Sequence, residues 1–132
     1  MFFALGDYLA GILVGVATAL AVRWAVAPGL DMVIAMLVGA AIGTIIHVLL
    51  GLVLSLAFGL METMIPASLI GMYGGMLFGM RDSMAAGSRT LAAAAIVGAI
   101  FGVLVVLCVA AITLTLFITP DSLSVNLVYQ AF

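Results

Sequence analysis

Met72, Met76 and Met80 recur every fourth residue in Gly-Met-Tyr-Gly-Gly-Met-Leu-Phe-Gly-Met. On a helix that spacing stacks the three side chains along one face. A thioether is a soft, uncharged ligand that favours Cu(I) over hard cations. It also enters lipid without the cost of burying a charge. A ladder of such weak ligands would let a soft ion step along a helix without being trapped. The competing explanation is packing, because methionine fills irregular gaps, here beside glycines that leave space.

Two neighbouring groups bear on that choice. His47 stands in the apolar run Gly43-Thr44-Ile45-Ile46-His47-Val48-Leu49-Leu50, and an ionisable residue inside a membrane span marks function by default. If helices 2 and 3 fold back on each other at 62–64, His47 and Met80 lie equally far from the turn. His47 then sits at the depth of Met76 to Met80, where neutral imidazole and thioethers make a buried metal site. The alternative is a structural histidine donating to a backbone carbonyl across the helix pair. Met61, Glu62 and Met64 lie at the mouth of the same hairpin. A carboxylate flanked by two thioethers suits collection of a cation, although Glu62 is equally explained as a solvated loop acid. The candidate metal ligands are therefore His47, Met61, Glu62, Met64, Met72, Met76 and Met80.

The elements that must position them are membrane helices. Of 132 residues, 68% are hydrophobic and 6% charged, against roughly a quarter charged in a typical soluble domain. Long apolar stretches with so few charges are membrane spans. Four helices are expected in a single transmembrane domain over 1–132, at about 8–26, 31–60, 66–80 and 90–119. Ala27-Pro28-Gly29 ends the first, and Asp31 caps the second. At ~1.5 Å per residue the second exceeds the ~30 Å hydrocarbon core, so it must tilt or break, with Gly51 and Gly59 as candidate points. Pro66 suits a helix start. The polar stretch Arg81–Arg89 is a loop or helix end, and the tail after Pro120-Asp121 anchors at the interface through Tyr129 and Phe132. The first apolar run has no basic n-region and is expected to be retained as a helix rather than cleaved as a signal.

The three arginines are the only basic residues besides His47. Four spans place Arg23, Arg81 and Arg89 on one side, so the positive-inside rule puts both termini on the non-cytoplasmic side, as in an integral protein of a bacterial inner membrane. A net charge of −2 argues against a nucleic-acid partner. Cys108, the single cysteine, has no internal disulfide partner and fits an apolar filler. Gly71, Gly75 and Gly79 form two GxxxG steps, with further steps at Gly98/Gly102, Gly39/Gly43 and Gly11/Gly15. Glycine at this spacing lets helix backbones approach closely, within the bundle or between copies.

Met72-Tyr-Gly-Gly-Met76 together with Gly98-Ala-Ile-Phe-Gly102 resembles one element of the high-affinity copper transporter family. The resemblance implies soft-ion chemistry along these helices. It is local, since that family is a trimer of three-helix chains with a Met-rich outer domain, and this chain has four expected helices and no such domain. A small multidrug exporter also has four helices, but its intramembrane Glu lies in helix 1, where this chain has no acid inside the span.

Catalytic constellations are missing: no Ser–His–Asp order, HExxH, phosphate loop or paired carboxylates within a span occurs, so no enzyme is expected. No resident cofactor is required. The sequence points to a membrane protein that binds or transports a Cu(I)-like ion along a Met/His path. The alternative is a non-catalytic subunit of a larger complex or homo-oligomer, docking through its glycine faces in the lipid bilayer.

Overall fold

The computed structural model describes the backbone of 2–58, 60–84 and 90–118, and the side chains of 6–56, 64–84 and 90–115. The expected tail anchors Tyr129 and Phe132, the loop arginine Arg89, and the side chains of Met61 and Glu62 lie outside the described residues. Among the described residues every regular element is a helix: α1 (Phe2–Ala25), α2 (Met32–Phe58), α3 (Leu60–Leu69), a π-helical segment (Ile70–Gly74), α4 (Gly75–Ser83) and α5 (Leu91–Ile118). Gly6–Ala25, Met32–Leu56 and Leu91–Thr115 are long and apolar enough to cross a membrane. The remaining rod, α3 through α4, is more polar and carries the π segment.

Local chemistry explains most boundaries. After α1 the chain turns at Pro28-Gly29, where Gly29 adopts φ +84°, a conformation that favours glycine. Asp31 caps α2 as expected: the Val33 N–H donates to its Oδ1 at 2.9 Å, and the Ala35 N–H to its backbone oxygen at 2.9 Å. Thr90 caps α5 in the same way, with the Ala93 N–H donating to its Oγ1 at 3.2 Å.

One boundary departs from expectation. The stretch Met61–Pro66 is not a connection but part of α3, and Pro66 lies well inside the helix rather than at its start. α2 ends at Phe58, while Gly51 is an uninterrupted helical position. A proline inside a helix leaves one carbonyl a turn earlier without its donor. Further along the same rod, beginning four residues after Pro66, Ile70–Gly74 is π-helical.

Packing is organised by glycine. A Cβ on Gly11 would meet the Gly102 carbonyl, and one on Gly15 would run into the Gly98 carbonyl. The reversed order makes α1 and α5 antiparallel. In the same way Gly39 and Gly43 of α2 meet Gly75, Gly79 and Gly71 on the π segment and α4, and Gly79 meets the Ala35 carbonyl. The expected close approach is therefore made within the chain, twice. α1 also packs on α2 and on the third rod, whereas α2 and α5 make no contact among the described residues. Ala19, Val22, Val26, Ala35 and Phe78 form one buried cluster; Val14, Ala67 and Ile70 form another. Phe101 joins both and meets Phe78 edge-on, with ring centroids 5.6 Å apart.

The arginine end is closed by charge. Arg23 donates from Nη1 to Oδ1 of Asp82, and the two side chains are 8% and 3% exposed. The Gly29 N–H donates to the Ser83 carbonyl at 3.1 Å, tying the α1–α2 turn to the end of α4. Asp82 lies at a helix end, within the stretch expected to be a loop or helix end, and is buried as the partner of Arg23.

Gly75→Leu should lower the thermal unfolding temperature and the folded yield. Overpacking costs about 1–3 kcal/mol, and the Gly39 carbonyl and Gly43 Cα that it would strike are backbone atoms that cannot rotate away. Gly51→Ala should be neutral or slightly stabilising, because a Cβ there first meets His47 Nδ1 at 3.6 Å. Equal unfolding temperatures for Gly75→Leu and the parent would show that this glycine line is not a tight interface.

Candidate functional site

His47 lies on the α2 line that faces the third rod. Its Cβ would stand 2.6 Å from a Cβ on Gly71, and its ring curls along α2 so that Nδ1 and Cε1 lie 3.6 and 3.7 Å from a Cβ on Gly51. The glycines at 51 and 71 thus leave the room that the imidazole fills. Nδ1 is buried and has no hydrogen-bond partner among the described residues. Nδ1 thus makes no hydrogen bond to a carbonyl across the helix pair among the described residues.

The depth of His47 differs from the sequence expectation. Gly43 faces Gly71 and Gly75, and Gly39 faces Gly75 and Gly79, which places His47 level with Leu69. Along the axis Met72 is then about 5 Å away and Met64 about 8 Å, whereas Met76 and Met80 are about 10 and 16 Å away. The cause is the connection. It falls beside Phe58 rather than at 62–64, and moving a turn by one residue shifts every facing pair by two. The structure therefore brings His47 between Met64 and Met72 and leaves Met76 and Met80 toward the arginine end.

The ladder is also less enclosed than a buried path requires. Met72 is 48% exposed, while Met64, Met76 and Met80 are half-buried. Among the described residues no group of three or more His, Cys, Asp or Glu could hold a metal ion. Any metal at His47 would thus rely on thioethers, which restricts it to soft ions. Cys108 is exposed rather than a buried filler. It lines an apolar groove of about 310 Å³ with Leu69, Tyr73 and Phe101 between the third rod and α5, away from His47 and the methionine stripe.

Two buried polar groups carried no signal in the sequence. Thr18 is fully buried with Oγ1 unpartnered among the described residues. In contrast Thr44, Thr113 and Thr115 each donate back to the carbonyl four residues earlier at 2.7–2.8 Å, the usual way a helical threonine is satisfied. Arg23 also keeps Nη2 buried without a partner among the described residues. A threonine in an apolar run and an arginine at a helix end look ordinary until the bundle closes over them.

No protein-family model, no curated protein and no solved structure matches this chain, so the chemistry of the site has to carry the functional argument. The unpartnered Nδ1 makes a stability prediction. A buried polar atom left without a partner costs about 1–3 kcal/mol. His47→Leu keeps the Cβ and removes that cost, so the metal-free variant should unfold at or above the temperature of the metal-free parent. A drop of several degrees would mean that the imidazole is structural.

Proposed function

We propose that this chain is a four-span integral protein of a bacterial inner membrane that binds and passes a soft transition-metal ion of the Cu(I) type. The observation that supports this best is His47: a buried imidazole nitrogen without a partner, inside an apolar span, between Met64 and Met72 in depth. A neutral imidazole with thioethers is a donor set for soft ions. Met61, Glu62 and Met64 would serve as the entrance, and Met76 and Met80 as later steps toward the arginine end. The role is that of a carrier or metal-handling channel, not an enzyme. The other role considered, a subunit docking through its glycine faces, has less room, because the glycines of the GxxxG steps already meet backbone or side chains within the chain.

The test is binding of Ag(I) or Cu(I) to the purified protein. A Cys108→Ser background is needed because an exposed thiol would itself take up either ion. Binding should be absent for Mg²⁺ and Ca²⁺, which prefer oxygen ligands. His47→Ala should weaken soft-ion binding most, and Met72→Leu and Met64→Leu should each weaken it. Unchanged binding in His47→Ala would remove the histidine from the mechanism.

For the topology, Arg23 and Arg81 lie at the end where Arg23 meets Asp82, and the positive-inside rule makes that end cytoplasmic. A reporter fused after Phe132 should be active outside the cytoplasm, and in a Cys108→Ser background a cysteine at Met84, which is exposed at that end, should be labelled only once the membrane is opened. Labelling at position 84 in intact cells would reverse the orientation.

A further inference from the structure

Six of the nine methionines fall on one side of one helix seam. The contact line of that seam runs through Ala35, Gly39, Gly43 and His47 on α2, and Gly71, Gly75 and Gly79 opposite. In antiparallel helices packed face to face, the residue after each contact position turns to the same side on both helices, because each step rotates ~100°. The residues before the contact positions, Val38 and Ile42 on α2 and Phe78 on α4, pack toward α1 in the buried cluster. The residues after them therefore turn away from α1: Met36, Ala40 and Thr44 on one helix, and Met72, Met76 and Met80 on the other. Met32 and Met84 continue the two rows by one turn.

The register pairs these residues in depth. With Gly79 set between Ala35 and Gly39, Met36 is level with Met80 and Met32 with Met84, while Met76 is level with Ala40. Met36, Met76 and Met80 are half-buried; Met32 and Met84 are 46% and 56% exposed. The glycine line keeps the two backbones in contact, so methionines of both helices lie at matching depths on one side of the seam. Packing toward lipid asks only for apolar bulk, which Val33, Ile34 and Leu37 supply on the neighbouring face of α2. It does not ask for sulfur opposite sulfur in two successive rungs. Asp31 precedes Met32 and Arg81 follows Met80, so the water end of the seam is close to neutral.

We infer that Met36 and Met80, with Met32 and Met84 one turn outward, form a second, all-thioether site for a monovalent soft cation such as Ag(I) or Cu(I). Two uncharged sulfurs facing each other suit a soft ion and exclude hard ones. This inference rests on the soft-ion reading of the chain and adds to it a two-sided exit at the arginine end, reached from His47 through Met72 and Met76.

The test is a titration of the purified full chain, in a Cys108→Ser background, with silver nitrate in chloride-free buffer. The parent should take up two Ag(I) per chain. Met36→Leu combined with Met80→Leu should lose one of them, with affinity lowered at least tenfold, and should unfold in the absence of silver within a few degrees of the parent. His47→Ala should lose the other ion. In silver-loaded His47→Ala protein, X-ray absorption should show a shell of sulfur alone. Two ions still bound by the double leucine variant, or a nitrogen or oxygen shell in the His47→Ala protein, overturns the thioether site while leaving the His47 reading intact. No silver bound by the parent overturns the soft-ion reading itself, and the second site with it.

Discussion

Backbone contact between glycines is the constraint on which the rest of this bundle depends. In a bilayer, apolar side chains gain little by leaving lipid for one another, so helix association must come from close packing and from polar groups that find partners. The chain meets that requirement at two antiparallel crossings, Gly11 and Gly15 against Gly102 and Gly98, and Gly39 and Gly43 against Gly71, Gly75 and Gly79. A side chain larger than hydrogen at most of these positions would strike a carbonyl of the facing helix. The crossings fix the depth of every other residue, including His47, and they bring the methionines of α2 and α4 to one seam.

The second constraint is the third rod. Pro66 interrupts the hydrogen-bond ladder within α3, and further along the same rod Ile70–Gly74 is π-helical. Such segments occur frequently at functional sites. This one lies beside His47, since Gly71, its second residue, meets the His47 Cβ. A departure from regular helix thus borders the imidazole. In α1 the hydroxyl of Thr18 is buried and has no partner among the described residues, so this bundle encloses polar atoms that simple apolar packing would not retain.

At the opposite extreme of polarity, the Arg23–Asp82 pair closes one end. Breaking a buried pair by removing one partner is costly because it leaves an uncompensated charge, so the pair holds the ends of α1 and α4 together even though its net contribution to stability is small. It also places Arg23 and Arg81 at the same end, the geometric condition for the positive-inside argument. Charge in this protein therefore acts at end closure, while the interior relies on glycine contacts and uncharged groups.

Much of the architecture was legible in the chain itself. Composition dictates membrane helices, Asp31 and Thr90 mark helix starts, Pro28-Gly29 marks a turn, and the GxxxG steps announce close crossings, because each of these is a local property of a few consecutive residues. What was not legible is which residues face each other. Pro66 resembled a helix start and lies inside a helix, because packing between helices, which no local pattern announces, can override the loss of one hydrogen bond. The connection therefore lies at the end of α2 rather than at 62–64, and the level of His47 at Leu69 rather than at Met76–Met80. Asp82 stood in a polar stretch with no sign of a partner, and Arg23 reaches it from 59 positions away. Met32 and Met36 looked unrelated to the ladder on the later helix until the register set them opposite Met84 and Met80. Sequence determined the helices, their caps and their glycine faces; register across a seam belongs to two helices at once, and only their packing decided it.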